Sequence, residues 1–373
     1  MNKYKVYVYA IAKNEAKHAK DWAKNMSEAD GIFVLLDPTS TDNTKDILLK
    51  SGVKVKEKLI RPWRFDKARN ESLRLVPKDA DICVCTDLDE RFNVGWRKEL
   101  ESQWQPNTNQ AVYKFWHNAG TPNDPPNIFD YSKIHDRNTF KWKWVVHEYI
   151  VQKNPNKKLN VVHLNNIMLY HYPDGGKVRS YKKLLEQAVK HNKHDIRYLT
   201  LLAEEYVNAN EFDNALKILT LLKNNKEAML NMSDFCLTYK LLIRLYSNNN
   251  NFKKAKQLCY YALSKCDYCR IFYGELGQIQ ILNETDYNLG IENLKKCLTI
   301  ANDVISAREI EWKDKAKIYN LISIAYWNLK DYLNAVLYVD LALKENPDEQ
   351  AYLNNKQLYE DEIEKLGLNN FNV

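Results

Sequence analysis

In the first half of the chain, short apolar runs alternate with charged stretches of helical length. A short apolar run rich in β-branched and aromatic residues is typical of a buried strand. Polar residues such as those at 40–42, placed before a longer stretch, are typical of a helix start. We therefore predict strands at residues 6–12, 32–36, 53–55 and 82–86, and helices at 14–28, from the 40–42 cap to 50, and at 66–75.

This order of elements predicts an α/β fold. Strands that alternate with helices favour an open, Rossmann-like parallel sheet with helices on both faces. In such sheets a ligand lies at the carboxyl ends of the strands. Those ends carry residues 12–15, Asp37 and residues 87–89, so polar side chains gather where a ligand is expected.

From about residue 180 the pattern changes to one helix after another. An aromatic residue recurs 40, 35 and 45 residues apart, each time followed three residues later by a small residue. The pattern resembles degenerate tetratricopeptide repeats, which would stack as a solenoid with a concave surface. A plain helical bundle is the alternative. The aromatic and small pairs are Phe212 and Ala215, Phe252 and Ala255, Tyr287 and Gly290, and Tyr332 and Ala335.

Length and composition fit this two-part organisation. The 373 residues suggest two or three domains, and we place them at residues 1–178 and 179–373. Hydrophobic residues make up 45% and charged residues 28%, which excludes a disordered, collagen-like or membrane-spanning chain. No apolar run approaches the ~18–20 residues of a membrane span. With only 10 Gly, a phosphate site built on a Gly-rich loop is not expected.

Charge and cysteine usage add two expectations. Residues 1–180 carry 30 Lys and Arg against 22 Asp and Glu, whereas residues 181–373 carry 25 Lys and Arg against 26 Asp and Glu. The basic excess of the first half indicates either an anionic partner or a solvated basic face. Seven Cys without a secretory leader predict a reducing, cytoplasmic location. We interpret Cys266 and Cys269 as buried thiols rather than a metal site, because no second pair lies at zinc spacing.

The sharpest local signal is the segment 86–90, Thr-Asp-Leu-Asp-Glu, directly after a predicted buried strand. Asp87 and Asp89 are two residues apart, so on extended backbone they point to the same side. Paired carboxylates at a strand end suit a hard divalent cation that takes phosphate oxygens as further ligands.

Four ordered segments resemble the nucleotide-binding half of a family-2 glycosyltransferase of the GT-A fold. They are Ala-Ile-Ala-Lys-Asn-Glu at 10–15, Asp-Pro-Thr-Ser-Thr-Asp-Asn-Thr at 37–44, Phe-Asp-Lys-Ala-Arg-Asn at 65–70, and the Asp-x-Asp segment. Thr39 replaces the Gly that is usual in the second segment. Residues 146–148, 171–174 and 179–181 are similar to a bacterial subgroup that carries C-terminal tetratricopeptide repeats and glycosylates peptides such as bacteriocins.

The resemblance implies roles for individual residues. Asp89 would bind Mn²⁺ or Mg²⁺, with His171 completing the shell, and the metal would assist the departure of UDP. Glu148 would be the base that takes the acceptor's proton, and an ordinary ion pair with Lys or Arg is the alternative. For Asp42 the alternative role is the cap of its helix. Contacts to the nucleotide-sugar donor are implied for Ala12, Glu15, Asp37, Asp42, Lys67, Arg69 and Asp87.

The resemblance therefore implies an inverting, metal-dependent transfer of a hexose from a UDP-sugar. The repeats would recruit a peptide, protein or glycan acceptor, and self-association through them is a further expectation. A non-catalytic scaffold with a retired transferase domain is the alternative. Nucleic acid is not an expected partner, because no motif of that class is present. An aromatic stretch would form either the acceptor side or sheet core: Tyr113, Phe115, Trp116, His117, Phe129, Tyr131, Trp142 and Trp144.

Overall fold

The computed structural model describes residues 3–119, 126–173, 181–301, 304 and 311–367. The chain divides into two compact units, Met1–Leu184 and Leu185–Val373. The first unit combines strands and helices, and the second is helical. The strands are β1 (Val6–Ala12), β2 (Gly31–Leu36), β3 (Lys54–Glu57), β4 (Ile82–Cys85), β5 (Glu90–Phe92), β6 (Gln110–Trp116), β7 (Ile128–His135), β8 (Phe140–Lys143), β9 (Tyr149–Gln152) and β10 (Val161–His171).

An eight-stranded open sheet forms the centre of the first unit, in the order β3-β2-β1-β4-β7-β6-β10-β5. Strands β1 to β4 are parallel, as the sequence predicts. Beyond β4 the sheet is mixed, because β7 is antiparallel to both β4 and β6 and β5 is antiparallel to β10. Strands β8 and β9 form a separate antiparallel ribbon.

Helices cover both faces of this sheet: α1 (Ala16–Met26), α2 (Thr44–Lys50), α3 (Phe65–Leu75) and α4 (Trp96–Gln103). The alternation of side chains along β1 explains why both faces need cover. Val8 packs with Trp22 of α1 in one core, whereas Tyr9 packs with Leu73 of α3 and Trp142 in the other. The predicted α/β architecture is therefore confirmed.

The second unit follows the predicted repeats. The first member of each aromatic and small pair is the first residue of α7, α10, α12 or α14, and each small residue is buried. At Gly290 an added Cβ would lie 2.5 Å from Ile281 Cγ1, which explains why a small residue is needed for close helix packing. The helices are α5 (Lys182–His191), α6 (Ile196–Asn208), α7 (Phe212–Lys223), α8 (Lys226–Leu230), α9 (Met232–Asn248), α10 (Phe252–Leu263), α11 (Arg270–Leu282), α12 (Tyr287–Thr299), α13 (Lys315–Asn328), α14 (Tyr332–Glu345) and α15 (Gln350–Lys365), with a short 3-10 helix at Glu311–Lys313.

Two further expectations can be compared with the fold. Cys266 and Cys269 are buried cysteines, as predicted. Among the helices of the described ranges, none has both the length and the apolar character that crossing a membrane requires.

Candidate functional site

A cavity of about 640 Å³ opens at the carboxyl ends of β1, β2 and β4, where an open α/β sheet is expected to bind its ligand. It brings together residues that are far apart in the chain, because they come from the ends of β1, β2, β4 and β10, from α3, and from the segment before β9. Eight of the predicted site residues line it: Ala12, Glu15, Asp37, Arg69, Asp87, Asp89, Glu148 and His171.

Arg69 connects two carboxylates in the wall of this cavity. Its Nε donates to Glu148 Oε1 at 3.1 Å, and its Nη2 donates to Asp87 Oδ1. The Arg69 side chain is 4% exposed and its guanidinium lies over the Trp142 ring at 5.4 Å. Burial lowers the pKa of Arg69, but the charges of Asp87 and Glu148 raise it well above its ordinary value. Arg69 is therefore a permanent cation that holds both carboxylates in place.

Asp87 has a second cationic partner, Lys133 of β7, whose Nζ lies 3.1 Å from Asp87 Oδ2. Burial raises the pKa of Asp87, but Arg69 and Lys133 together hold it well below its usual range. Asp87 is thus ionised and has both oxygens occupied by protein cations. It is placed to accept hydrogen bonds from a ligand rather than to be the principal ligand of a metal.

Lys133 was not predicted as a site residue. It also lies 3.5 Å from Glu90 Oε1, and Glu90 Oε2 accepts a hydrogen bond from the Asp87 backbone at 2.8 Å. Burial raises the pKa of the Glu90 carboxyl to about 7, against the opposing charge of Lys133. In the sequence, Lys133 is distinguished by its position in an extended segment beside the apolar Ile134. That β7 lies beside β4 is a property of the tertiary structure.

Asp89 and His171 form the other polar pair in the cavity. His171 Nε2 lies 3.3 Å from Asp89 Oδ2, and His171 Nδ1 donates to the His117 carbonyl at 2.7 Å. Burial lowers the pKa of His171, but Asp89 raises it above its ordinary value. In the described ranges no three His, Cys, Asp or Glu side chains converge on one metal position. A carboxylate and an imidazole fit a divalent cation that takes its other ligands from phosphate and water.

Asp37 lies at the end of β2 and is held by its own turn. Its Oδ1 accepts from the Thr39 backbone at 2.9 Å and from the Thr39 hydroxyl at 2.7 Å. Burial raises the pKa of Asp37, but these hydrogen bonds and the charge of Lys13 lower it below its ordinary value. Thr39, which departs from the family pattern, therefore holds the Asp37 carboxylate in place through two hydrogen bonds. The Asp37 backbone also donates to the Ala12 carbonyl, which joins the ends of β1 and β2.

Two predicted donor-binding residues lie elsewhere. Asp42 joins the starts of α1 and α2, because its carboxylate accepts from the Ala16 backbone at 2.9 Å and from the Thr44 backbone at 3.1 Å. The N-cap residue of α2 is Asn43, so Asp42 supports the first N–H of this helix from outside it, and the cap expected at residues 40–42 is wrong by one residue. Lys67 lines a different cavity of the first unit.

Aromatic side chains form part of the cavity wall, though mostly not those of the predicted stretch. Tyr131 is a member of that stretch that lines the cavity, whereas Tyr113 and Trp142 are buried in sheet cores. Trp63, Phe65 and Tyr181 also line it, and Phe65 makes edge contacts with the other two rings. Three residues of the segments that resemble the family fall outside the described residues, namely Asp174, Arg179 and Ser180.

The comparisons with known proteins concern the repeats. Residues 316–349 match the tetratricopeptide repeat family. No curated protein matches the chain. Solved structures similar to it include the Cut9–Hcn1 hetero-tetramer of the APC/C, with 16% identity, a TM-score of 0.38, and coverage of 48% of this chain and 32% of that chain.

Two bacterial structures are similar at the same level. A thermophilic tetratricopeptide repeat protein of Thermus thermophilus has 17% identity and a TM-score of 0.34, over 48% of this chain and 87% of its own. PilF of Pseudomonas aeruginosa has 12% identity and a TM-score of 0.38, and the match covers 48% of this chain and 72% of that chain. The matched repeat corresponds to α13 and α14, so a tetratricopeptide repeat is present in the second unit.

Proposed function

We propose that this protein is an inverting, metal-dependent glycosyltransferase that moves a hexose from a UDP-sugar to a peptide, protein or glycan acceptor. The observation that carries the proposal is the convergence of Asp37, Asp87, Asp89 and Glu148 with two buried cations in one cavity at the carboxyl ends of the parallel strands. The resemblance of four ordered segments to family-2 glycosyltransferases supports the choice of reaction.

Asp89 and His171 would hold Mn²⁺ or Mg²⁺, because both line the cavity and their side chains approach each other to 3.3 Å. When bound, such an ion neutralises negative charge on the departing diphosphate. Asp87, held by Arg69 and Lys133, would accept hydrogen bonds from hydroxyl groups of the donor. Asp37 and the Ala12 backbone would contact its nucleoside.

Glu148 is the proposed general base. Its side chain is 11% exposed and lines the cavity, so it can meet an acceptor there. The acceptor's O–H or S–H proton would pass to Glu148 as the new bond to C1 forms and UDP leaves with the electron pair of the old bond. The ion pair with Arg69, the alternative role for Glu148, is also present, and it orients the carboxylate before the acceptor arrives.

In this proposal the tetratricopeptide repeats of the second unit bind the acceptor. Stacked helical repeats form extended surfaces that bind other proteins. A protein or peptide partner is therefore the acceptor class that the second unit favours.

The test is donor binding and donor hydrolysis with the full chain. We expect UDP to bind in the presence of Mn²⁺, and a UDP-sugar to be hydrolysed slowly with Mn²⁺ but not with EDTA. Asp89→Asn should abolish both effects, whereas Asp42→Asn should retain UDP binding, because Asp42 lies outside the cavity lining. Metal-independent hydrolysis at full rate would contradict the assignment.

A non-catalytic protein-binding scaffold is the second candidate, and the tetratricopeptide repeat match favours it. Thermal denaturation separates the two, because a ligand of the native state must raise its stability. An unchanged melting temperature with about 1 mM UDP and Mn²⁺ would favour the scaffold.

A further inference from the structure

A second cavity of about 740 Å³ lies on the first unit between α3, the segment after β3, and the β8–β9 ribbon. Leu73 and Phe140 supply apolar parts of its lining. Seven Lys and Arg side chains line it against a single carboxylate, Glu71. Lys67, for which the family resemblance implies a contact to the donor, is one of the seven. We call this the basic cavity.

Glu71 neutralises only two of these cations. Lys58 Nζ lies 2.6 Å from Glu71 Oε2, and Arg74 pairs with the other carboxylate oxygen. The remaining five form no ion pair with any residue that the structure describes: Arg61, Lys67, Arg137, Lys141 and Lys153.

Three of the five cations donate to neutral backbone carbonyls. Arg137 donates to the Val76 carbonyl at 3.4 Å, and Arg61 donates to the Ile60 carbonyl at 3.3 Å. Lys153 Nζ donates to the Asn138 carbonyl at 2.8 Å. These contacts leave the positive charge in place, and a concave surface lined by charge of one sign focuses its field on a ligand of the opposite sign.

We propose that the basic cavity is an anion site, separate from the candidate active site, for a ligand that carries several phosphate groups. Phosphate supplies high charge density and several acceptor oxygens, and guanidinium groups bind it through paired hydrogen bonds. A single carboxylate would leave most of the five cations unneutralised. Both a free oligophosphate and a phosphodiester chain have this chemistry, and the site does not depend on glycosyl transfer.

Charge reversal at Lys141 and Lys153 is the sharpest test. Both are exposed residues, one on β8 and one directly after β9, and neither lines the candidate active site. Arg61 is unsuitable because it lines both cavities. Lys20→Glu with Lys98→Glu is the control of equal charge change, since these exposed lysines lie on α1 and α4 and line neither cavity.

Calorimetric titrations of the full chain would use inorganic tripolyphosphate in one series and a ten-nucleotide thymidine strand in the other. EDTA in both series removes metal-mediated binding. We expect Lys141→Glu with Lys153→Glu to weaken binding at least about ten-fold, and the control pair to change it less than about two-fold. Tighter binding of the strand identifies a phosphodiester chain as the source, and tighter binding of tripolyphosphate identifies a free oligophosphate.

The proposal is overturned if neither probe binds the wild-type chain, or if both double variants lose affinity equally. Asp89→Asn should retain tripolyphosphate binding in EDTA. The two proposals can therefore fail separately, since loss of UDP binding leaves this site unaffected.

Discussion

Arg69 Nε and Glu148 Oε1 form a 3.1 Å ion pair between residues that are 79 positions apart in the sequence. The same guanidinium binds Asp87, so one buried arginine joins α3, the end of β4 and the segment before β9. This network explains how the candidate site is organised before a ligand binds.

Replacing Arg69 with methionine should destabilise the first unit by about 3 kcal/mol. The substitution leaves the Glu148 carboxylate without its cationic partner and removes one of the two cationic partners of Asp87. Urea denaturation measures the change. Arg74→Met is the matched control on the same helix, since Arg74 is 69% exposed and its ion pair contributes little. Equal stability of the two variants would show that the network does not hold the fold.

Glu148→Gln should lower turnover at least about 100-fold while changing donor affinity less than about three-fold, because the amide cannot take up the acceptor's proton. Turnover with a peptide acceptor and calorimetry with UDP and Mn²⁺ provide the two measurements. Collapse of donor binding would instead assign Glu148 to the donor site.

His171→Ala should weaken Mn²⁺ binding at least about ten-fold in the presence of UDP, because one of the two proposed protein ligands is removed. In the wild-type chain the affinity should fall from pH 7.5 to pH 6, since protons compete with the metal for an imidazole whose pKa is raised. Calorimetry at both pH values measures this. An unchanged affinity in His171→Ala would exclude the residue as a ligand.

His135 should make the stability of the first unit depend on pH. Burial lowers its pKa to about 4, below the ordinary 6.5, so the unfolded chain binds the proton more tightly. The contribution of His135 is therefore present above about pH 6.5 and is lost as pH falls towards 4. Its maximum is about 3 kcal/mol. Urea titrations at several pH values should show a shallower pH dependence for His135→Gln, and an identical dependence would contradict the assignment.

Gly290→Ala should destabilise the second unit by about 1–3 kcal/mol, because the new methyl group would meet Ile281 Cγ1 at 2.5 Å. Asn288→Ala on the same helix is the control, because Asn288 is exposed. Thermal or urea denaturation distinguishes them. A stabilised Gly290→Ala variant would show that α11 and α12 can separate without cost.

The local pattern of the chain determined its elements. Apolar runs of strand length and the periodicity of the helical half follow from side-chain alternation and helix geometry, which are short-range properties. Strand β1 is observed at the predicted residues, and helix α3 begins one residue earlier than predicted. The parallel order of β1 to β4 followed from the strand–helix alternation, because a parallel connection needs a crossover.

Tertiary structure decided which side chains meet. That β7 enters the sheet antiparallel to β4 brings Lys133 to Asp87, and no local pattern encodes a pairing between residues 46 positions apart. Tertiary structure also decided the position of Lys67. Its helix is predicted from the sequence, but Lys67 lines the basic cavity and not the candidate active site. A sequence specifies local conformation through neighbouring residues, whereas the partners of a buried charge depend on how distant segments pack.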